Sequence, residues 1–493
     1  MSVAFSGPAL PPEVWSHVLR ESPKSSLVSL LSVCSIFHDI AVRYLFSSIK
    51  IYFVGVRRGE VMLNTNHRHW VEEVARKLMI KSWELLNHIS EEPSFARVVK
   101  SLTVISFADG FSIFERMTLA NTLLSIPNLE TFRWIGNHPD FGSTVAEYLP
   151  TTLRRLEIQA SLPLESLNHI SRLESVHLSM PWFFPDDEEA HDSWTNDEDL
   201  FDLEDPDNLT LESMFQTVGP HITNLRISGS QYGAIPVRIF NCLLDLEIFF
   251  LGGEDETVGL DLIFHHATQL QSLTWIGYIN RRAYTFLPPS TSTLLPNLTS
   301  FRLSGVFDFD DITQNPTDRT DFDCLLHFLQ NRKLLRRLYV RLPDLHWPLG
   351  LELWAIAKTL DKLEILGLHT GEGQIGEGDL NRILDLLPRQ LRALHVAFDC
   401  GANNLLPLLD AIASMPNLSF LHLYGTISRL PILLEDLAAE NKQLQMIGLN
   451  RAIWDIERVG HGIVTNKWPR WKIKFNVEED FLNEDDAWLF HYN

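Results

Sequence analysis

Five stretches of sequence decide the fold of this 493-residue chain: LRRLYV (335–340), LEILGL (363–368), LRALHV (391–396), LSFLHL (418–423) and LQMIGL (444–449). Each has an apolar residue at its first, fourth and sixth positions, and their first residues lie 28, 28, 27 and 26 positions apart. The fourth and sixth side chains point to the same side of a short strand, because side chains alternate along a strand. A pattern that returns at a nearly constant period predicts a repeat architecture in which each unit stacks on its neighbours.

The same pattern occurs in the earlier part of the chain. Its copies begin at Val99, Leu129, Leu153, Leu173, Ile222, Leu243, Leu270 and Leu298, and WPRWKI from Trp468 reads as a weak last copy. Helical stretches such as 380–388 and 405–416 lie between copies, carry apolar residues at helical spacing and stop at proline. One strand and one helix per repeat is therefore the predicted unit.

These units resemble leucine-rich repeats of the longer type. The resemblance implies an α/β fold: a right-handed solenoid, or horseshoe, with parallel strands on its concave face and helices on its convex face. We assign residues 99–493 to this solenoid, and residues 51–98 to a helical linker or cap.

The segment ALPPEVWSHVLRESPKSSLVSLLSVCSIFHDIAVRYLFSSIKI (9–51) carries a second signal. It opens with a Leu-Pro-x-Glu start at Leu10, and a leucine-rich helix leads to Val33 and Cys34. Phe37 follows where a tryptophan is usual, and YLFSSI (44–49) closes the segment. These features resemble an F-box, so residues 1–50 are expected to form a small N-terminal helical F-box.

The residues themselves also bear on this segment. Three helices within fifty residues make a marginal core. Apolar residues left over on such a domain are commonly covered by a partner. The alternative is that the segment serves as an N-terminal cap, which would cover the first strand of the solenoid.

The F-box resemblance implies a function. F-box proteins are substrate receptors of Skp–cullin–F-box (SCF) ubiquitin ligases, so the expected partners are a Skp adaptor, a cullin scaffold and a protein substrate. The resemblance implies adaptor contacts at Leu10, Pro11, Val14, Leu19, Leu27, Leu30, Val33 and Phe37. It implies no catalytic residue, metal or cofactor. The alternative is a non-enzymatic leucine-rich-repeat scaffold or ligand-binding protein unconnected to ubiquitin.

Charge and cysteine content argue against other classes of protein. The net charge of −22 argues against binding to nucleic acid or to an anionic membrane, since both need lysine and arginine. Cys34, Cys242, Cys324 and Cys400 are scattered, which supports neither a disulfide framework nor a zinc ribbon. The first residues lack the features of a secretory signal, so we expect a cytoplasmic or nuclear protein.

Catalytic motifs are few. GEGQIG (371–376) matches the glycine pattern of dinucleotide-binding loops, but it lies in register with the repeat, where glycines serve a tight bend. The histidines of HRH (67–69) and His265–His266 lack the spacing of helical metal ligands. The sequence therefore favours a binding protein over an enzyme.

Two acidic insertions interrupt the repeat. Residues 185–208 contain twelve acidic residues and neither lysine nor arginine, and residues 308–323 form a smaller acidic block. Each reads as a solvated insertion or, alternatively, as a docking site for a basic partner.

The candidate substrate site lies on the concave strands of the later repeats, where outward positions become aromatic, basic or imidazole. Its residues are Arg302, Arg337, Tyr339, Arg341, His369, His395, His422 and Tyr424. Such side chains are typical binding anchors, and in an acidic chain they suit an acidic or phosphorylated peptide. The alternatives are an ordinary polar strand face and a zinc site formed by His369, His395 and His422.

Overall fold

The structure is a computed structural model. It describes residues 10–20, 22, 24–56, 68–108, 113–139, 141–159, 167, 169–178, 215–216, 221–251, 257–279, 281–288, 294–306, 319–330, 332–375, 377–399, 406–425, 434–460 and 462–491. The chain divides into two compact units, residues 1–204 and 205–493. The acidic block 185–208 and most of the block 308–323 lie outside the described residues, except that 320–323 begin a helix.

The first unit opens with three short helices, α1 (Pro12–Arg20), α2 (Lys24–Leu30) and α3 (Ser35–Leu45). Their shared core is small: Leu19, Leu27, Ile40 and Ala41 are buried. The Trp15 and Phe37 rings meet edge to face at 4.9 Å beside this core. A helical N-terminal segment is therefore present, with a core as limited as its length predicts.

Five strands follow in the first unit, and consecutive strands pair in parallel. They are β1 (Ser48–Val54), β2 (Ser101–Phe107), β3 (Thr131–His138), β4 (Arg155–Gln159) and β5 (Ser175–Leu178). The helices of this part are α4 (Arg68–Glu91), α5 (Pro93–Ala96), α6 (Ile113–Leu123) and α7 (Gly142–Glu147). The long helix α4 packs on β1.

The second unit continues the alternation of strand and helix. Its parallel strands are β6 (Asn224–Ser228), β7 (Asp245–Leu251), β8 (Ser272–Tyr278), β9 (Ser300–Val306), β10 (Arg337–His346), β11 (Ile365–Gln374), β12 (Ala393–Asp399), β13 (Phe420–Tyr424) and β14 (Met446–Leu449). The helices between them are α8 (Val237–Phe240), α9 (Leu260–His266), α10 (Arg281–Thr285), α11 (Thr320–Leu329), α12 (Trp347–Lys358), α13 (Glu377–Leu386), α14 (Leu406–Ala413) and α15 (Leu434–Glu440). A 3-10 turn covers Gly229–Ala234.

The predicted fold class is confirmed: strands and helices alternate in a leucine-rich-repeat solenoid with parallel strands. Each strand from β2 to β14 begins at the third residue of its Leu-x-x-Leu-x-Leu copy, as β10 begins at Arg337 within LRRLYV. The apolar side chains of the motif form the core; Leu335, Leu338 and Val340 are all fully buried. Helix α12 packs against β10 and β11.

The strands depart from the sequence prediction at both ends. Strand β1 lies at the boundary between the segments assigned as F-box and helical linker, and it pairs with β2 as a repeat strand does. At the other end, the predicted weak copy from Trp468 is wrong. Residues Arg470–Lys474 form helix α16. Pro469 precedes this helix, and proline is readily accommodated at a helix start.

The repeat ends because the chain reverses direction. Asn450 adopts a positive φ of 48°, a conformation that asparagine tolerates better than most residues. Strand β15 (Ala452–Val459) then runs antiparallel to β14, and β16 (Gly462–Lys467) pairs antiparallel with β15. A 3-10 turn (Glu478–Asp480) leads to α17 (Glu484–Phe490), which we call the returning helix.

Candidate peptide-binding face

One face of the sheet in the second unit carries an unusual row of side chains. Strand pairing places Arg302, Tyr339, Gly367, His395, His422 and Gly448 opposite one another on β9 to β14. A second row lies two residues further along the strands and contains Arg341, His369, Ala397 and Tyr424. We call the surface formed by these two rows the ladder face. Its side chains alternate with the leucines of the core.

Two glycines in the first row leave space for the neighbouring rings. A Cβ atom on Gly367 would lie 2.1 Å from Cδ2 of Tyr339, and one on Gly448 would lie 2.4 Å from Cδ2 of His422. Each ring therefore lies over the glycine of the next strand. The Tyr339 ring consequently comes within 5.6 Å of the His395 ring, although β11 lies between their strands.

The two histidines of this row bond to each other. Nδ1 of His395 lies 2.9 Å from Nδ1 of His422, and Nε2 of His422 lies 2.8 Å from the carbonyl oxygen of Asn450. Burial lowers the pKa of His422 to about 4, although the bond to Asn450 opposes the shift. Burial, followed by the nearby charge of His422, lowers the pKa of His395 well below its usual range. Both side chains are therefore neutral at pH 7.

Three arginines converge on one carboxylate of the returning helix. Arg336 donates to both oxygens of Asp485, at 2.7 and 2.9 Å, and Nε of Arg337 donates to Oδ1 at 2.8 Å. Arg392 lies 3.5 Å from Oδ2. Burial would raise the pKa of Asp485, but the Arg336 hydrogen bond and the charges of both neighbouring arginines lower it overall. Asp485 is therefore ionised and firmly held.

Arg302 extends the contact along the returning helix. Its guanidinium lies 4.3 Å from the centroid of the Tyr339 ring and 4.5 Å from that of the Trp488 ring, so it is sandwiched between two aromatic rings. It donates to the carbonyl oxygen of His491 at 2.6 Å and also to that of Trp488. Further along, Arg226 donates to Nε2 of His491 at 2.6 Å. The contacts thus reach from β6 to β12.

Apolar packing completes the contact. Leu489 and Phe490 of the returning helix belong to a buried cluster with Tyr339, Ile365 and Phe420. The Phe490 ring lies 5.5 Å from the ring of His422. The interface therefore joins a fixed carboxylate to an aromatic cluster over adjacent repeats.

The predicted substrate residues share one face, as the repeat register predicted, but their exposure differs from expectation. Arg302, Tyr339, His395 and His422 are almost completely buried. The returning helix packs on Arg302, Tyr339 and His422, and the rings of Tyr339 and His422 pack against His395. Arg337 is mostly covered by Glu484 and Asp485. Arg341, His369 and Tyr424 in the second row remain partly exposed. Burial, followed by the charge of Arg341, lowers the pKa of His369 to about 4.

The returning helix was not predicted from the sequence. The segment NEDDAWLF (483–490) is acidic and lies beyond the last strong repeat copy. One local signal does mark it. The Asn483 side chain accepts a hydrogen bond from the backbone N–H of Asp486 at 2.9 Å, which makes Asn483 a helix N-cap before a first turn of three acidic residues. The aromatic residues that follow form the docking surface.

The N-terminal helices present a second candidate surface. Leu10, Pro11, Val14 and Val33 are exposed, whereas Leu30 and Phe37 are half-buried. Leu19 and Leu27 belong to the core of the three helices and are 5% and 4% exposed, so they cannot contact a partner directly. Of the eight residues predicted as adaptor contacts, six are therefore at least partly exposed. Three further apolar residues of these helices, Val18, Val28 and Ile36, are also exposed.

The structure gives no support to a zinc site or to a dinucleotide-binding loop, the two other sites considered from the sequence. No cluster of three or more histidine, cysteine or acidic residues able to hold a metal occurs within the described parts of the chain. Both ring nitrogens of His422 are already hydrogen-bonded, to Nδ1 of His395 and to the carbonyl oxygen of Asn450. The residues of GEGQ (371–374) continue strand β11 instead of forming a loop. Over the same described residues, no helix has both the length and the apolar content to cross a membrane.

Comparisons with known proteins give little guidance. No family model matches the chain, and no curated protein matches it. Among solved structures, the chain is similar to the crystal structure of a TLR13–ssRNA13 complex, with 17% identity over 72% of this chain and 46% of that one and a TM-score of 0.32. It is also similar to a Bacteroides fragilis protein, with 14% identity over 45% of this chain and 60% of that one and a TM-score of 0.27.

The chain thus spans less than two thirds of either matched structure. The assignment of the chain to the leucine-rich-repeat solenoids is based on the register of its own strands. A solenoid of this class presents an extended strand surface that suits binding to other molecules.

Proposed function

We propose that the chain is the substrate-recognition subunit of an SCF-type E3 ubiquitin ligase. In this role the N-terminal helices bind a Skp adaptor, which links the chain to a cullin, and the repeat solenoid holds a protein substrate. The chain itself makes and breaks no covalent bond. It acts by keeping the substrate close to the ubiquitin-loaded enzyme, which raises their effective concentration. The proposed setting is the cytoplasm or the nucleus.

The observation that carries the proposal is the exposed apolar surface of the N-terminal helices. Val14, Val18, Val28, Val33 and Ile36 are each between 40% and 59% exposed, while four of the described residues form the buried core of these helices. An apolar surface of this kind on so small a domain marks an interaction site. The Leu-Pro-x-Glu start and the Val33-Cys34 pair, which resemble an F-box, support a Skp adaptor as the proposed occupant.

A cap for the solenoid is the competing explanation of these helices. A cap would turn its apolar residues towards the first strand. Strand β1 instead packs on the long helix α4, which comes after it in the chain. The exposed residues of α1 and α2 are therefore available for another partner.

Affinity purification of the tagged full chain, read by mass spectrometry, tests this function. Recovery of a Skp adaptor and a cullin supports the ligase role. Recovery of other proteins without either would favour the alternative of a scaffold unconnected to ubiquitin. On the substrate side, Tyr424→Ala removes a partly exposed ring from the second row of the ladder face. This variant should lower substrate recovery and leave adaptor recovery unchanged.

A further inference from the structure

The returning helix contacts the ladder face mainly through its side chains, together with the carbonyl oxygen of Trp488, and it is not part of the repeat itself. Its partners on the ladder face lie far away in the chain: His422 is 68 positions from Phe490, and Arg302 is 186 positions from Trp488. Its contacts are an ion-paired carboxylate, a tryptophan against an arginine, and buried apolar residues. These are the features of a helix bound in a groove, in which a few anchors on one face carry most of the binding energy.

The spacing of the anchors defines a recognition pattern. Asp485 and Trp488 lie three positions apart, so they occupy neighbouring places on one face of the helix. The arginine cluster at Arg336, Arg337 and Arg392 receives the carboxylate, and Arg302 receives the aromatic ring. The ladder face, together with this arginine cluster, thus matches an acidic residue followed by an aromatic residue three positions later.

The helix depends on this contact for its structure. It has seven residues, and an isolated helix of that length is not stable in water. Its hydrogen-bonded backbone persists because the side chains are held by the ladder face. Short elements of this kind open at a lower free energy than the strands on which they rest.

We propose that the ladder face is a binding site for a helical peptide with an acidic residue three positions before an aromatic residue, and that the returning helix occupies this site in cis. The inference rests on the proposed function in one respect: the peptide belongs to the recruited substrate. A substrate peptide gains the site by displacing the returning helix. An occupant tethered to its site has an effective concentration of order millimolar, so it competes strongly with a free peptide.

Hydrogen–deuterium exchange of the unmodified full chain is the first test. The amides of Glu484–Phe490 should exchange by local opening, at lower protection than those of β11 and β12. If the helix amides were as strongly protected as those of β11 and β12 and exchanged only when the strands open, the proposal would be overturned. The helix would then be a permanent part of the core.

Peptide binding is the second test, and its probe is a fluorescent peptide with the sequence of residues 482–491, LNEDDAWLFH. The receptors are the full-length chain, its Asp485→Ala variant and a matched Glu484→Ala variant. Asp485 faces three arginines, whereas the Glu484 side chain is 79% exposed and pairs only at the rim. Fluorescence anisotropy should give at least about tenfold tighter binding to Asp485→Ala than to the other two receptors, because its site is more often vacant.

Two controls keep the result decisive. A peptide with lysine in place of Asp485 and alanine in place of Trp488 should bind none of the receptors. Equal binding of the unmodified peptide to all three receptors, or no binding to any, would overturn the proposal. So would loss of the cooperative melting transition in Asp485→Ala, because it would assign the helix to the core. Neither test involves the adaptor, so failure here leaves the proposed ligase role untouched.

Discussion

The Nδ1 atoms of His395 and His422 lie 2.9 Å apart, so one of them must carry a hydrogen and the other must not. Nε2 of His422 faces the carbonyl oxygen of Asn450, which can only accept, so this nitrogen carries the hydrogen of the neutral ring. Nδ1 of His422 is then the acceptor, and His395 donates. The bonds fix both tautomers and run in one direction from His395 to Asn450.

This pair predicts sensitivity to acid. The folded pKa of each ring is below the ordinary value, which is about 6.5 in an unfolded chain. Their contribution to stability is therefore present above pH 6.5 and is lost as the pH falls towards about 4, where His422 titrates in the folded state. The limiting slope is about 1.4 kcal/mol per pH unit for each ring.

A double variant, His395→Phe with His422→Phe, removes both titrations and keeps an aromatic ring at each position. The loss of unfolding free energy between pH 7 and pH 5 should be smaller in this variant than in the unmodified chain. Chemical denaturation at the two pH values measures it. An identical loss in both proteins would show that other groups cause the acid sensitivity.

Gly367→Ala should destabilise the protein. Its new Cβ would overlap the Tyr339 ring at 2.1 Å, so the ring must leave its position between Arg302 and His395. Overpacking of this kind typically costs about 1–3 kcal/mol. Gly378→Ala is the matched control, because its Cβ would meet nothing within 4 Å and alanine favours a helix. Equal melting temperatures for the two variants would contradict the ring's position.

Asp486 of the returning helix predicts a pH effect of opposite sign. Burial raises its pKa to about 7, with the charge of Asp485 adding to the shift and the bond from Asn483 and the charge of Arg392 opposing it. The folded chain therefore keeps a proton that the unfolded chain releases near pH 3.8. The stability that this group contributes falls as the pH rises from 3.8 to about 7.

Asp486→Asn removes the carboxyl group and retains an oxygen that can accept from Asn483. The variant's stability relative to the unmodified chain should rise from pH 4.5 to pH 7 and change little above that, with a total on the order of a few kcal/mol. Melting both proteins across this range gives the difference directly. A difference independent of pH would refute the raised pKa.

The repeat pattern predicted the strands well because burial of its leucines fixes their register. It missed β1, although Phe46, Ile49 and Ile51 fit the same apolar spacing with phenylalanine and isoleucine substitutions. Those residues overlap the end of the F-box-like segment, which obscured the pattern. The burial of Tyr339 could not be predicted, because Phe490, which lies 151 positions further along the chain, belongs to the cluster that covers it. Local periodicity carries no information about such a contact.

Binding of a purified Skp adaptor to the purified full chain, measured by calorimetry, tests the proposed ligase role. We expect a one-to-one complex that Val33→Asp weakens more than tenfold, because a charge would enter an apolar interface. Val459→Asp is the control, since Val33 and Val459 are similarly exposed, at 59% and 63%, and only Val33 lies in the N-terminal segment. Absence of adaptor binding by a folded, unmodified chain would contradict the proposed ligase role.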